Sequence, residues 1–439
     1  MNVAIIGTGR VGLVAGAGFA DFGLNVCCVD SDERKISALE GGKVPFYEPG
    51  LQELVRKNQA ASRLSFTTDL AEAVKKSLVL FIAVGTDEIS PGKPDLTALF
   101  HVVKDIARVI NEYKVLVIKS TVPVGTAARV ISELEQLTKQ PCDVISNPEF
   151  LREGSAIENF MRPDRVVLGG NNQRALAIIR DIYRPLYLVD TPFIISDHAT
   201  AEMIKYAANA FLATKISFIN EMANLCDATG ADVHAIAKGL GLDKRIGPKF
   251  LHPGPGFGGS CLPKDTRTLV EIGREHGCRL PLLEGTIETN RTLGAYLVGK
   301  LKEMLGTLQG RTVALLGLTY KPLTDDVRLS PALDFIKALQ AEGATIRAHD
   351  PSIRQDAEEA FSPENVRICR DPYEAAAYAD AVAVLTEWNE FRHLDLAELR
   401  RVMKGDVLLD SRNVYDPGAA VASGFRYLGR GRGARSPKT

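Results

Sequence analysis

A single cysteine, Cys261, lies in a glycine- and proline-rich segment that reads FGGSCLPKDT at 257–266. Glycine and proline favour neither helix nor strand interiors, so packing inside regular structure does not explain this thiol. Lys264 and Asp265 follow it closely. A nearby cation favours the thiolate, the nucleophilic form of cysteine, and a carboxylate can move protons or orient water. The segment is therefore a candidate for covalent catalysis by Cys261.

Two further groups of polar residues are candidates for the same chemistry. Lys205 and Asn209 lie four residues apart in a helical pattern and therefore share one helix face. An alanine-rich surrounding would desolvate Lys205, lower its pKa and favour a role as a base, although taken alone this position favours an ordinary snorkelling helix lysine. The segment NPEFLREGSA carries Glu149 and Glu153, which belong either to a site or to a solvated turn.

A glycine motif near the N-terminus predicts a dinucleotide site. Gly7, Gly9 and Gly12 form G-x-G-x-x-G directly after the apolar run VAII. Such glycines allow a tight turn, close approach of a pyrophosphate and close helix packing, while the helix N-terminus offers N–H groups to the phosphates. Asp30 ends the next apolar run, 18 residues after Gly12, where a carboxylate can bind the ribose hydroxyls. Because an aspartate there repels a 2′-phosphate, NAD is favoured over NADP.

Three more positions are candidates for the cofactor site. Thr86 and Thr121 follow other apolar runs and so fall at the carboxyl edge of the predicted sheet, where ligands bind in open α/β folds. Lys35, five residues after Asp30, either reaches the adenosine ribose or phosphate or is a surface lysine.

An NAD site and a nucleophilic cysteine together indicate oxidation through a covalent intermediate. An alcohol gives hydride to NAD and its hydroxyl proton to a base, which yields an aldehyde. A thiolate can add to the aldehyde as a thiohemiacetal, a second hydride transfer gives a thioester, and water releases a carboxylate. The chain is predicted to oxidise either an aldehyde or an alcohol as far as the acid.

Alternating strand and helix patterns must position these groups. Short runs rich in Val, Ile and Leu recur through the first part of the chain, and a second series begins at 311. Such alternation is typical of parallel sheets covered by helices on both faces. Between them lies one long helical pattern, with Ser196 or Asp197 as its N-cap and Gly230 as its end. The predicted class is α/β, with two Rossmann-like doubly wound domains joined by a central helical domain with a long spine helix.

Composition places the chain among ordinary globular proteins. It has 439 residues, 45% hydrophobic and 24% charged, and its net charge of −1 indicates no nucleic-acid or membrane-surface role. Seven scattered cysteines argue for a reducing compartment, so the cytoplasm is the expected location. The seven histidines form no cluster with cysteine, and no metal site is predicted. The basic, glycine-rich tail at 428–439 is expected to be disordered.

Eight segments resemble the UDP-glucose dehydrogenase family over about residues 1 to 420. In chain order they are GTGRVG, VGT, STVPVGT, NPEFLREGSA, KYAANA, RIGPKFLHPGPGFGGSCLPKD, GLTYKPLTDDVRLSP and DSRNVYD. The resemblance implies an NAD-binding domain at 1–195, a central helical and dimerisation domain at 196–305, and a UDP-sugar-binding domain at 306–427. It also implies oxidation of UDP-glucose at C6 with two NAD per turnover, yielding UDP-glucuronate, by a homodimer or higher homo-oligomer.

The resemblance also assigns residues to roles. The implied catalytic residues are Cys261, Lys205, Asn209, Asp265, Thr121 and Glu149. The implied cofactor contacts are Gly7, Gly9, Val11, Gly12, Asp30, Lys35, Thr86, Thr121, Glu153, Lys264 and Arg328. The implied substrate contacts are Glu149, Phe150, Leu151, Lys205, Asn209, Arg245, Phe250, Gly258, Lys321 and Arg412. Cys261 would be the nucleophile and Arg245 would reach a neighbouring subunit's site, while the base of each half-reaction stays open.

Three alternatives stay open at this point. GDP-mannose and UDP-N-acetylmannosamine dehydrogenases share the domain plan and the cysteine, but the segment PGPGFGGSCLPKD favours UDP-glucose. A two-electron hydroxyacid-type dehydrogenase needs the lysine and asparagine of the central helix but no thiol. A non-catalytic, NAD-responsive binding protein needs none of these groups.

Overall fold

The computed structural model describes residues 1–353 and 366–436, and the chain divides into two compact units. The first unit comprises Met1–Ala208 and Glu271–His276, and the second comprises Asn209–Val270 and Gly277–Thr439. The domain boundaries expected at 195, 305 and 427 stay predictions.

The first unit is built on an eight-stranded sheet. Its strands are β1 Asn2–Ile6, β2 Asn25–Val29, β3 Leu64–Thr67, β4 Val79–Ile82, β7 Lys114–Ile118, β8 Cys142–Ser146, β9 Val166–Gly169 and β10 Phe193–Ser196. A separate antiparallel ribbon consists of β5 Glu88–Ser90 and β6 Lys93–Pro94. The strand order is β10-β9-β8-β7-β4-β1-β2-β3, and β8 with β9 is the antiparallel pair within it.

Helices cover both faces of this sheet. They are α1 Arg10–Asp21, α2 Glu33–Glu40, α3 Leu51–Ala60, α4 Leu70–Lys76, α5 Thr97–Val109, α6 Thr126–Leu137, α7 Ala156–Met161 and α8 Gln173–Ile182, followed by a 3-10 helix at Arg184–Val189. Val3 and Ile5 of β1 belong to one apolar cluster, and Ala4 and Ile6 belong to another. The strands read as continuous apolar runs because both of their faces are buried.

The predicted spine helix is present as α9, His198–Thr229. Its 32 residues give a length of about 48 Å. The Asp197 carboxylate accepts the Thr200 N–H at 2.8 Å and so caps its start, and Gly230 follows its end with φ of +78°. The capping aspartate and the terminating glycine are both as predicted.

The second unit adds a seven-stranded sheet and more helices. The helices are α10 Val233–Leu242, α11 Leu262–Glu275, α12 Pro281–Leu305, α13 Pro331–Ala341, α14 Pro372–Ala376, α15 Asn389–Arg392, α16 Leu396–Val402 and α17 Pro417–Ala422. The strands are β11 Thr312–Leu316, β12 Thr345–His349, β13 Val366–Ile368, β14 Ala381–Val384, β15 Val407–Asp410, β16 Arg426–Gly429 and β17 Ala434–Arg435. Their order is β13-β12-β11-β14-β15-β16-β17, parallel except for the last pair. The predicted fold class is confirmed.

The disorder expected of the tail is wrong for residues 428–436. They complete β16 and form β17, which pairs with it. The Arg430 side chain is buried, donates to the Asn220 carbonyl at 3.0 Å and lies 3.6 Å from the Asp227 carboxylate. A basic, glycine-rich composition misled the prediction because this arginine is paired inside the protein. Residues 437–439 lie outside the described residues.

Candidate active site

The glycine motif forms an open cradle at the start of α1. Gly7 has φ of +100°, and a Cβ on it would lie 2.7 Å from the Ala83 carbonyl oxygen. A Cβ on Gly12 would lie 1.9 Å from the Gly7 carbonyl oxygen, so turn and helix can pack this closely only without side chains. A Cβ on Gly9, by contrast, would meet no neighbouring protein atom within 4 Å. The free space beside Gly9, at a helix N-terminus, is where a pyrophosphate fits.

Asp30 stands beside this cradle as an ionised acceptor. One carboxylate oxygen accepts the Thr8 N–H at 2.9 Å and the Thr8 hydroxyl at 2.7 Å. Burial raises the pKa of Asp30, but the hydrogen bonds from Thr8 outweigh burial, and the pKa lies below its usual range. Lys35 is half-exposed, with its ammonium 3.9 Å from the carboxylate. The charge on Asp30 suits the ribose hydroxyls of NAD and disfavours a 2′-phosphate.

Two loops join at the carboxyl edge of the first sheet. The Thr86 hydroxyl, after β4, donates to the Thr121 carbonyl at 2.8 Å. The Ser120 hydroxyl, after β7, donates to the Val84 carbonyl at 2.6 Å. The loops that carry Thr86 and Thr121 therefore hold each other in place.

The remaining cofactor candidates have different surroundings. Val11 packs against the apolar cluster of the first unit. The Glu153 carboxylate lies 3.6 Å from the Arg10 guanidinium, which places it beside the glycine motif. Arg328 belongs to the second unit, is half-exposed, and forms an ion pair with Asp326 at 2.8 Å.

A buried ion pair joins α9 to the segment after β8. The Lys205 ammonium lies 2.9 Å from the Glu149 carboxylate, and both side chains are less than a tenth exposed. Burial raises the pKa of Glu149, but the adjacent ammonium reverses the effect, so the pKa lies below its usual range. The Leu151 N–H also donates to Glu149, at 2.5 Å, and the Lys205 ammonium lies 5.3 Å from the Phe150 ring centre. The interpretation of Lys205 as an ordinary snorkelling helix lysine is wrong, because its ammonium is buried against Glu149.

A second buried lysine, which sequence reasoning missed, lies behind this pair. Lys119, directly after β7, donates to the Asn147 side-chain oxygen at 3.1 Å and contacts the Tyr183 hydroxyl at 3.2 Å. Burial lowers the pKa of Lys119 to about 8, and the charge of Lys205 adds to this effect while that of Glu149 opposes it. Its position directly after the apolar run of residues 115–118 was the signal in the sequence.

In the second unit, Cys261 directly precedes the first turn of α11. The Asp265 N–H donates to the Cys261 carbonyl at 2.9 Å, which closes that turn. The thiol is exposed, and its sulfur lies 3.6 Å from the Ser260 hydroxyl. A helix N-terminus stabilises negative charge, so a nucleophilic cysteine suits this position.

The predicted amide, acid and lysine come together in this unit. The Asn209 side-chain amide donates to one oxygen of Asp265 at 2.6 Å, and the Lys264 ammonium donates to the other at 2.8 Å. Asp265 is 1% exposed, and the other two side chains are also buried. Lys264 is therefore held primarily by Asp265, although the sequence suggested a direct role beside the thiol.

Two glycines of the loop that carries Cys261 pack closely against the segment after β11. A Cβ on Gly258 would lie 2.3 Å from the Leu329 carbonyl oxygen, and one on Gly259 would lie 2.8 Å from the Tyr320 ring. The Gly259 N–H donates to the Arg328 carbonyl at 2.9 Å. Close contact with the segment after β11 is a reason for glycine here that the sequence did not reveal.

The carboxyl edge of the second sheet presents Arg412. Its guanidinium donates to the Leu385 carbonyl at 2.9 Å and to the Tyr320 carbonyl at 3.2 Å, and lies 3.1 Å from the Glu387 carboxylate. Lys321 is partly exposed, with its ammonium 5.4 Å from the Tyr320 ring centre. Both predicted substrate contacts therefore lie near the residues that follow β11.

The segment after α10 places two other candidates differently. Arg245 is highly exposed and forms a two-point ion pair with Asp243, with hydrogen bonds of 3.0 and 2.7 Å. Phe250 has φ of +64°, a strained conformation for a bulky residue that is found mostly where function requires it.

The second sheet has the same glycine turn as the first, but the aspartate that follows its second strand is used in internal hydrogen bonds. Gly317 follows β11 with φ of +100°, and Asp350 follows β12. One Asp350 oxygen accepts the N–H and hydroxyl of Thr319 and the indole N–H of Trp388, at 2.9 to 3.2 Å. The other accepts the N–H and hydroxyl of Ser352 at 3.0 and 2.8 Å. Asp350 is 1% exposed, whereas the Asp30 carboxylate remains partly accessible.

Two kinds of feature are missing from the part of the chain that the structure describes. Within residues 1–353 and 366–436, no helix is both long and apolar enough to cross a membrane. The same residues contain no group of three or more His, Cys, Asp or Glu side chains that could hold a metal ion.

The two Rossmann-like sheets, the open glycine cradle and the exposed thiol define the class of NAD-dependent dehydrogenases. Family models for the UDP-glucose/GDP-mannose dehydrogenase family match the NAD binding domain at residues 1–187, the central domain at 199–292 and the UDP binding domain at 314–417. The chain belongs to this family. NAD is its cofactor.

Individual relatives extend the match over nearly the whole chain. A UDP-glucose 6-dehydrogenase of Rhizobium meliloti is 48% identical over 98% of this chain and 100% of its own. A solved UDP-glucose dehydrogenase of Pyrobaculum islandicum is 35% identical, covers 95% of each chain and has a TM-score of 0.90. A solved UDP-D-ManNAc dehydrogenase of Pyrococcus horikoshii is 27% identical over 98% of this chain and 99% of its own, with a TM-score of 0.87.

Replacing Gly9 with alanine tests the cradle. Because no protein atom would touch the new methyl group, we expect Gly9→Ala to keep the Tm of the NAD-free protein. The methyl group occupies the space assigned to the pyrophosphate, so the rise in Tm on adding NAD should be largely lost. Gly299→Ala, which also meets no protein atom, is the matched control. An undiminished response of Gly9→Ala to NAD would contradict this assignment.

The lowered pKa of Lys119 predicts that the stability of the protein depends on pH. The pKa of Lys119 is about 8 in the folded protein, against 10.5 for an ordinary lysine. Between these values the unfolded chain binds more protons, so the free energy of unfolding rises with pH. From about pH 8 to about pH 10, we expect the wild type to gain about 1–3 kcal/mol relative to Lys119→Met, measured by urea denaturation. Lys139→Met, at an exposed position, is the control, and parallel pH profiles of wild type and Lys119→Met would refute the prediction.

Proposed function

We propose that this enzyme oxidises UDP-glucose at C6 to UDP-glucuronate, in two steps that use two NAD and pass through a thioester on Cys261. The observation that carries the proposal is the exposed Cys261 thiol at the start of α11, beside the buried cluster of Asp265, Asn209 and Lys264. A two-electron dehydrogenase has no use for that thiol. The 48% identical relative from Rhizobium meliloti, a UDP-glucose 6-dehydrogenase, supports the choice of substrate.

NAD, when bound at the glycine cradle, accepts the hydride in each oxidation. In the first oxidation, C6 loses a hydride and its hydroxyl loses a proton, which leaves an aldehyde. Lys205, Asn209 and Asp265 are proposed to handle the proton, the developing oxyanion and water. Buried, hydrogen-bonded groups suit this work because they need little reorganisation as charge develops.

Cys261 then carries the carbon between the two oxidations. The thiolate adds to the aldehyde carbon, forming a C–S bond and a thiohemiacetal alkoxide. Loss of a second hydride from that carbon gives a thioester. Water attacks the thioester, the C–S bond breaks, and carboxylate, thiol and a proton are released. Thr121 and Glu149 are proposed as supporting groups.

The substrate contacts proposed from the family resemblance are Glu149, Phe150, Leu151, Lys205, Asn209, Arg245, Phe250, Gly258, Lys321 and Arg412. Arg412 and Lys321 lie near the residues that follow β11, in the region matched by the family's UDP binding domain. Cationic side chains at the carboxyl edge of a parallel sheet suit the diphosphate of a nucleotide sugar.

We also propose a homodimer formed through α9. Phe211, Phe218 and Leu225 lie seven residues apart on this helix and are 65%, 43% and 55% exposed. A seven-residue spacing places them along one face, as in helix-to-helix contacts. Arg245, exposed and paired with Asp243, is proposed to reach the partner's sugar-nucleotide site.

We also propose that the protein is located in the cytoplasm. All seven cysteines are free thiols, which supports a reducing compartment.

The stoichiometry of NADH formation tests the proposal. We expect two NADH per UDP-glucose consumed, measured by absorbance with limiting substrate. UDP-N-acetylmannosamine and GDP-mannose, which are the substrates of the alternative dehydrogenases, should each give a far lower kcat/KM. One NADH per substrate would indicate the two-electron class, and inactivity on all UDP-sugars would refute the proposal.

Substitution of the nucleophile tests the covalent step. Cys261→Ser should still bind NAD, detected by the rise in Tm, while turnover falls by roughly 1000-fold or more because a serine hydroxyl is a much weaker nucleophile. Cys278→Ser, at another exposed cysteine, is the control and should keep wild-type turnover. Near-normal turnover of Cys261→Ser would show that the nucleophile is wrongly assigned.

A further inference from the structure

The buried carboxylate of Glu202 joins α9 to the start of α6. One oxygen accepts the Gly125 N–H at 2.7 Å, and the other accepts the Ala127 N–H at 2.8 Å. The side chain is on α9, three residues before Lys205, and the residue is 3% exposed. The first N–H groups of a helix have no partner within it, so a carboxylate from another element satisfies them here.

The segment fixed in this way carries a proposed catalytic residue. It runs from 119 to 125, between β7 and α6, and includes Thr121. Its beginning is attached to the neighbouring loop by the bonds from Ser120 to Val84 and from Thr86 to Thr121. Its end is attached to α9 through the two hydrogen bonds to Glu202. Glu202 and Lys205 also border one small cavity with Thr121.

We propose that Glu202 is a positioning residue for the oxidation, which holds the 119–125 segment, and with it Thr121, at a set distance from Lys205. This inference rests on the proposed function. Lys205 follows Glu202 by one turn of the same helix, so the helix backbone transmits the position of one to the other. A loop attached at both ends can hold a reacting group within the narrow tolerance that catalysis needs.

A positioning role differs from a purely structural one in that a neutral replacement of Glu202 should lower activity without lowering stability. Burial raises the pKa of Glu202, and the two backbone hydrogen bonds offset only part of that effect. An acid whose pKa is raised by folding lowers stability as pH rises above its ordinary value, so at neutral pH its charge does not stabilise the fold. A neutral side chain of the same shape avoids the cost of burying the charge, which offsets the loss of one of the two contacts, so stability should change little.

Glu202→Gln tests the proposal. The glutamine keeps one acceptor oxygen, but its NH2 group faces the second N–H, so that contact breaks. We expect kcat to fall about 10- to 100-fold, with KM for UDP-glucose within about threefold and Tm within about 3 °C of wild type. Amide hydrogen exchange in a peptide covering 119–130 should be faster than in wild type. Glu135→Gln, at an exposed position near the other end of α6, is the matched control for all four measurements.

Each outcome decides the matter. Unchanged kcat or unchanged exchange in Glu202→Gln would overturn the positioning role. A loss of kcat accompanied by a large fall in Tm, or by a rise in KM that accounts for the loss, would also overturn it. If wild type is inactive on UDP-glucose, the proposed function fails, and faster exchange in Glu202→Gln would then assign Glu202 a structural role only.

Discussion

The buried ion pair between Lys205 and Glu149 is the interaction on which the candidate site of the first unit depends. An ammonium removed from water needs a partner, and so does a carboxylate, so each makes the other's burial tolerable. The pair also determines where α9 stands relative to the segment after β8. Neither charge can move without exposing the other to an unpaired, low-dielectric surrounding. The position of Lys205, one of the groups proposed to handle the proton, the oxyanion and water, is thus secured by electrostatics as well as by packing.

Backbone N–H groups are used repeatedly to hold buried acids in this protein. Glu202 accepts two of them at α6, and Glu48 accepts those of Gly154 and Ala156 at α7, each at 2.8 Å. Glu149 accepts one from Leu151 in addition to its ion pair. In each of these bonds the donor belongs to the backbone, which moves less than a second long side chain would. The loops at the carboxyl edge of the first sheet gain their order in this way.

Sequence periodicity predicted the regular elements well because burial on both sheet faces leaves continuous apolar runs. The 32-residue α9 was recognisable because its capping aspartate and terminating glycine act locally. Residues such as Lys119 and Glu202 were not recognised, since their partners lie up to 77 positions away in the chain. The pairing of Lys264 with Asp265 was missed for a different reason. Adjacent residues can act separately or together, and only the local backbone direction decides which.

The closed carboxylate of Asp350 has a consequence for how the chain uses its two similar sheets. Both halves contain a glycine turn after the first strand and an aspartate after the second, so motif alone would assign them equivalent ligands. In the second half both oxygens of that acid already accept hydrogen bonds from the protein and the residue is buried, which disfavours recognition of a ribose there. A dinucleotide therefore meets an acceptor in one half and a saturated one in the other. Two copies of one architecture become distinguishable to a ligand through internal hydrogen bonding, without any change of fold.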